Sequence, residues 1–146
     1  MADVSAIVSR KGSQVLTVRP DTSVLDAAVL MNQHRIGALI VVDHRDHVVG
    51  IFTERDVLRR VVSERRDPAD TRVEAVMTRD LVTCTPATTI GKARAIFMDR
   101  RIRHLPVLSA PDQLRGMISI GDLNAWELSG QECKIAALEE YLYGMA

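Results

Sequence analysis

The sequence predicts an α/β (α+β) fold in which two pseudo-symmetric β-α-β-β-α repeats pack sheet to sheet, with a further helix at the C-terminus. Three observations predict it. A motif, Gly50-Ile51-Phe52-Thr53-Glu54-Arg55-Asp56, recurs as Gly116-Met117-Ile118-Ser119-Ile120-Gly121-Asp122. A shift of 66 residues aligns Thr17–Asp56 with Thr83–Asp122 without a gap. Eleven of the 40 aligned pairs are identical, among them Pro20/Pro86, Arg35/Arg101, Leu39/Leu105, Gly50/Gly116 and Asp56/Asp122. Most other core positions exchange one apolar residue for another, which marks an internal duplication. Neither unit can bury its own sheet face, so each is expected to cover the other.

The elements follow in order. Val4, Ile7 and Val8 have helical spacing, and Lys11-Gly12-Ser13 ends that pattern. Val15–Val18 reads as a short strand closed by Pro20, which cannot donate to a ladder. Thr22 or Ser23 can cap a helix with Val24, Ala27, Ala28, Leu30 and Met31 on one face, ending near His34-Arg35. The apolar run Ala38–Val42, a polar turn at His44-Arg45-Asp46, and Val48–Thr53 predict a buried hairpin. From Glu54 a helix is expected to turn Val57, Leu58, Val61 and Val62 inward and Arg59, Arg60, Arg65 and Arg66 to water. Asp67-Pro68-Ala69-Asp70 ends it. The division is therefore residues 1–66 for the first repeat with its N-terminal segment, 67–128 for the second, and 129–146 for a helical tail. In that tail Leu128, Ile135, Leu138, Tyr141, Leu142 and Tyr143 suggest an amphipathic helix after a kink at Gly130, either a cap over the core or a dimer contact.

Composition narrows the function. With 47% hydrophobic and 26% charged residues the chain is a globular one, and 146 residues suffice for a core without disulfides or metal. Lys+Arg and Asp+Glu both total 19, a balance that argues against a general nucleic-acid or membrane-surface binder. Aromatic residues, at 3%, are too few for base-stacking platforms. No apolar run is long enough to span a bilayer and no leader pattern opens the chain, so a cytoplasmic location is expected. Cys84 and Cys133 have no metal-binding spacing, and Cys84 reads as a core residue.

The repeated motif carries the chemistry. A hydroxyl residue followed three places later by an acid forms a capping box at a helix start, and that alone accounts for Thr53/Asp56 and Ser119/Asp122. The same geometry can serve a ligand, because free N–H groups at a helix start attract phosphate and the acid can accept from ribose hydroxyls. Arg103 and His104 interrupt the apolar stretch Ile102-Arg103-His104-Leu105-Pro106-Val107, and a guanidinium there can grip phosphate. The matching residues of the first repeat are Gly37 and Ala38, so the duplication is electrostatically asymmetric.

Taken together, Gly50-x-x-Thr53-x-x-Asp56, Gly116-x-x-Ser119-x-x-Asp122 and the stretch Ile102–Val107 resemble a tandem CBS-domain pair, or Bateman module, of the stand-alone bacterial type. The resemblance covers roughly residues 4–127. It implies a non-catalytic regulatory sensor that binds adenosyl ligands in two clefts between the repeats, with AMP first, then ATP, ADP or NAD(H), as in energy sensing. It also implies a homodimer arranged as a four-repeat disk that signals through its geometry to an effector protein, with no catalytic cofactor, metal, nucleic acid or membrane involved. Carried over by position, the main cleft combines Thr53, Glu54, Arg55 and Asp56 with Ile102, Arg103, His104 and Leu81, Val82 and Thr83. The second combines Ser119, Ile120, Gly121 and Asp122 with Ile36, Gly37, Ala38 and Ser13, Gln14 and Val15. Only the main cleft has a cation set, so it is expected to hold the phosphate on Arg55, Arg103 and Thr53, with Asp56 on the ribose and apolar backbone around the adenine. The second is expected to bind weakly, to bind a larger ligand, or to stay empty. Ile40 stands where the second repeat has Pro106, so the entry to the first repeat's strand is expected to differ in shape.

Two other classes compete. The arginine-rich faces, Arg59, Arg60, Arg65 and Arg66 and Arg100, Arg101 and Arg103, could bind nucleic acid, but interleaved acids favour a salt-bridged surface. A metal-dependent enzyme would need ligands, and His44 and His47 with Asp43 or Asp46 are better read as a hairpin tip.

Overall fold

The computed structural model describes residues 2–12, 14–109 and 112–143. The first repeat comprises β1 (Thr17–Val18), α2 (Val24–His34), β2 (Ala38–Val42), β3 (Val48–Thr53) and α3 (Glu54–Asp56), which continues as a π-helix over Val57–Val62. The second comprises α5 (Ile90–Arg100), β4 (His104–Ser109), β5 (Gln113–Ser119) and α6 (Ile120–Tyr143). Two further helices, α1 (Val4–Lys11) and α4 (Val73–Val76), precede the respective repeats. The duplication extends to detail. Ser23 and Thr89 cap α2 and α5, and Arg35 and Arg101 close them with left-handed φ of 52° and 53°. Both hairpins shift register at equivalent places, Val41/Val42 and Val107/Leu108.

One sheet is three-stranded, in the order β1-β2-β3, and the other is the β4-β5 hairpin. Their facing surfaces meet in a seam where Ala38, Ile40, Val42 and Ile51 pack with Leu81, Leu114 and Met117. The alternate residues point outward to helices: Leu39, Val41 and Phe52 to one core, Leu105, Val107 and Ile118 to the other. Every residue of β2 is buried because both faces of that strand are covered. The short helices cross between repeats: Val73, Val76 and Met77 complete the core of the first repeat, and Val4 and Ile7 complete that of the second. The two halves are thereby interlocked by chain as well as by the seam.

Pro106 explains why the sheets differ. Val18 pairs in parallel with Val41, and Cys84 pairs in the same register with Val107, but only as an isolated bridge. In the first sheet the Ile40 N–H donates to the Leu16 carbonyl at 3.3 Å. Pro106 stands at the equivalent position and has no N–H to give, so the expected second strand near Thr83 does not form.

Two expectations are corrected. The helix after Glu54 does not bury Val57, Leu58, Val61 and Val62 as one α-helical face: Val61 is fully buried while Leu58 and Val62 are more than 60% exposed. The cause is the π-turn, in which the N–H groups of Ser63 and Arg66 reach back five residues to the carbonyls of Leu58 and Val61, widening the helix and rotating its faces. The tail does not kink at Gly130, because α6 runs unbroken through it to Tyr143. A single glycine costs a helix about 1 kcal/mol, and the alanines, leucines and glutamates beyond it are strong helix formers.

Candidate functional site

Both strand-to-helix junctions are built as capping boxes. Thr53 Oγ1 accepts from the Asp56 N–H at 3.3 Å, and the Asp56 carboxylate accepts from the Thr53 N–H at 3.0 Å. In the second copy Ser119 Oγ accepts from the Asp122 N–H at 3.1 Å and Asp122 accepts from the Ser119 N–H at 2.8 Å. Each junction is also tied to the start of its partner strand: the Glu54 N–H donates to the Gly37 carbonyl, and the Ile120 N–H to the Arg103 carbonyl, both at 3.0 Å.

Beside the first junction lies a cleft of about 570 Å³, lined by Ile51, Thr53, Glu54, Arg55, Asp56, Leu58, Arg59, Thr78, Ile102, Arg103 and His104. This is the size range of small-molecule sites. It joins Thr53, Glu54, Arg55 and Asp56 of the first repeat to Ile102, Arg103 and His104 of the second. Leu81, Val82 and Thr83 are not among its walls: Leu81 packs into the seam, Val82 against the second core, and Thr83 is exposed. Thr78 takes their place, because its backbone pairs with Ile51 through two hydrogen bonds of 2.8 and 2.9 Å.

The walls differ in how far they are committed. Asp56 is only 6% exposed and accepts from Thr53 N–H, Thr53 Oγ1 and Thr78 Oγ1, with the Arg60 Nε 3.8 Å away. A carboxylate offers about four acceptor positions, so little capacity is left for a ligand hydroxyl. Arg55 donates from Nη1 to the Arg101 carbonyl at 3.0 Å, clasping the end of α5. Arg59 and Arg103, one from each repeat, are exposed cations that line the cleft. Burial lowers His104 below the ordinary histidine value; Glu54 and Asp122 raise it, and Lys11 and Arg103 lower it. The ring is therefore mainly neutral at neutral pH, and it lies within the electrostatic reach of both junctions.

The second junction is closed by a residue from the far end of the chain. Lys11 Nζ lies 2.7 Å from Asp122 Oδ2 and donates to the Met117 carbonyl at 3.0 Å. The second junction thus carries a cation, Lys11, where the sequence placed a cation set only at the first. α1 packs along β5 and α6, which delivers its basic last turn to the acid. Burial raises Asp122, but the Lys11 ammonium and the Ser119 N–H outweigh it and hold the carboxyl below its usual range. Ile120 packs against the second core, and Gly121 is exposed beside Ser119. Gln14 is exposed, Val15 belongs to the seam, and Ser13 lies outside the described residues. Ile36 is exposed and Ala38 is buried in the ladder opposite Thr53. Gly37 sits at the edge of the first junction: a Cβ there would be 3.2 Å from the Glu54 carboxylate and 3.4 Å from His104 Cε1.

Thr78, Leu58, Arg59, Ile51 and Lys11 escaped the sequence reading. A signal for Thr78 existed in Gly50, where a Cβ would meet Met77 Sδ at 2.6 Å and the Thr78 carbonyl at 3.0 Å. Glycine within a strand marks such a close approach. Elsewhere, Asp43 Oδ1 accepts from the Arg45 and His47 N–H groups, both at 2.9 Å, forming a hairpin tip. Among the described residues no group of three or more His, Cys, Asp or Glu side chains is placed to hold a metal. Burial pushes the Cys84 thiol up to about 11, as befits a core residue.

The CBS-domain family model matches residues 4–63 and again 73–128. The chain belongs to the CBS-domain family. It is 34% identical over 149 aligned residues to the mitochondrial CBS domain-containing protein CBSX3 of Arabidopsis thaliana, an alignment covering 97% of this chain and 72% of that one. A putative signal-transduction protein with CBS domains from Burkholderia ambifaria superposes with a TM-score of 0.84 at 39% identity, covering 89% of this chain and 96% of that structure. The CBS domain pair of protein MJ0100, solved with 5′-methylthioadenosine and S-adenosyl-L-methionine, shares the fold with a TM-score of 0.77 at 21% identity, covering 86% and 98%. Among the described residues, no helix is long and apolar enough to cross a membrane.

Proposed function

We propose that this CBS pair is a non-catalytic sensor whose first cleft binds an adenosyl ligand, AMP foremost, then ATP, ADP or NAD(H). The observation that carries the reading is the composite wall: a helix start with its acid from one repeat faces Arg103 and His104 from the other across a cleft of about 570 Å³. In this reading the phosphate lies between Arg103 and Arg59, near the first N–H groups of α3. The ribose approaches the Asp56 and Thr78 edge, and Ile51, Leu58 and Ile102 flank the base. Arg55 holds α5 and the ligand-side helix together, so its part is positioning. The complex of MJ0100 with two adenosyl compounds supports the ligand class. The second cleft, its acid already paired with Lys11, is the weaker site. Ligand occupancy would be read out through self-association of the chain and an effector protein.

Calorimetric titration with AMP, ATP, NAD(H) and S-adenosylmethionine tests this. Saturable binding by at least one, weakened in Arg103→Ala, is expected. Binding by none, or an Arg103→Ala variant indistinguishable from the parent, contradicts the proposal.

A further inference from the structure

Beyond Ser129, which accepts from Arg10 at 3.1 Å, the α6 tail presents its apolar side chains to solvent among the described residues. Leu128, Ile135, Leu138 and Leu142 are each 56–58% exposed, whereas Leu123 of the same helix is fully buried. Helices of this length draw most of their stability from packing of an apolar face, so this face calls for an occupant. At about 100° per residue it is turned roughly a quarter of a circle from the face that holds Leu123, leaving it open to a partner.

The spacing and charges identify the partner. Leu128, Ile135 and Leu142 recur every seven residues, and Leu138 falls three after Ile135, which are the a and d positions of a heptad. In parallel coils Ile135 at a with Leu138 at d is the two-stranded pattern, while Leu128 and Leu142 hold the other a positions and Gln131 the d position between Leu128 and Ile135. Lys134 then occupies g and Glu139 the e position of the next heptad, the pair that meets between parallel in-register helices. In an antiparallel pair g meets g, so Lys134 would face Tyr141 and the ion pair would be lost.

We propose that the end of α6 docks a second copy of this chain as a short parallel coiled coil, seamed by Ile135, Leu138 and Leu142 and flanked by two Lys134–Glu139 ion pairs. This deepens the self-association part of the proposed function and rests on that part alone, independent of ligand binding.

Sedimentation equilibrium of the full chain is the test, with circular dichroism as the check on folding. The parent is expected to be a dimer. The double variant Ile135→Asp, Leu138→Asp should remain folded and weaken association by at least about tenfold, since both side chains lose a buried apolar contact. Lys134→Glu should weaken it by about twofold, and adding Glu139→Lys should restore it. A monomeric parent, a double variant that associates like the parent, or a charge reversal without rescue would overturn the proposal. A dimer persisting in the double variant would move the contact to another surface, such as exposed Leu58 and Val62, while nucleotide titration of that variant reports separately on the cleft.

Discussion

The two junctions share a hydrogen-bond pattern and differ in what faces the acid. At the first, Asp56 is bonded by Thr53 and Thr78, has the Arg60 guanidinium no nearer than 3.8 Å, and lines a cleft that also holds the exposed Arg59 and Arg103. At the second, Asp122 is gripped by Lys11 at 2.7 Å, and the carboxylate that would meet a ligand already has a charged partner. Duplication supplied two identical frames, and segments outside the repeated motif made them unequal. The N-terminal helix closes one site, and the linker residue Thr78 furnishes the other.

The largest way to break this comparison is Asp56→Ala. It removes the acceptor for a backbone N–H and two hydroxyls at a buried position, and should cost about 3 kcal/mol in denaturant unfolding. Asp122→Ala, at a more exposed junction, should cost less, and equal losses would contradict the difference in burial. Next is Gly50→Ala, whose Cβ would press on Met77 and the Thr78 backbone. A loss of about 2 kcal/mol is expected by the same measurement. Gly116→Ala should be milder, because its Cβ would meet the methyl groups of a side chain, Val8, at 3.1 and 3.3 Å.

Arg103→Ala should weaken binding of a phosphate-bearing ligand by about tenfold with little change in melting temperature, since the side chain is exposed. Lys11→Met should cost little stability, under about 1 kcal/mol for a partly exposed pair, yet it sharpens the comparison most by uncovering Asp122. It should also alter the acid limb of unfolding. The Asp122 carboxyl is held below its usual value, so the stability it contributes is present above the ordinary carboxylate range and lost as pH falls through its lowered folded value. In Lys11→Met that loss should be smaller. His104, lowered chiefly by burial, works in the same direction higher up: stability is full above the ordinary histidine value of about 6.5 and falls with acidification toward the folded value. His104→Gln should flatten that region of the curve.

Much of the architecture was legible because it rests on local signals. The hairpins came from apolar runs and turn residues, the capping boxes from a three-residue spacing, and the pairing of repeats from self-similarity. The composite first cleft was legible only through the resemblance to a CBS pair, which implied that Asp56 and Arg103 meet at one cleft from different repeats. What escaped depends on long-range docking. Nothing in Lys11-Gly12 announces Asp122, more than a hundred residues away. The linker placed Thr78 rather than Leu81–Thr83 at the cleft because Met77 and Thr78 fit against Gly50, a steric fact with no periodic signature. The π-turn at Val57–Val62 likewise preserved the buried Val61 while moving Leu58 to the rim of the cleft.

The inequality of the clefts is tested most directly by counting AMP sites per chain by titration calorimetry in the parent, Arg103→Ala and Lys11→Met. The expected result is one principal site in the parent, weakened in Arg103→Ala and intact in Lys11→Met. Loss of the principal site in Lys11→Met with full retention in Arg103→Ala would place the ligand at the second junction and contradict the account.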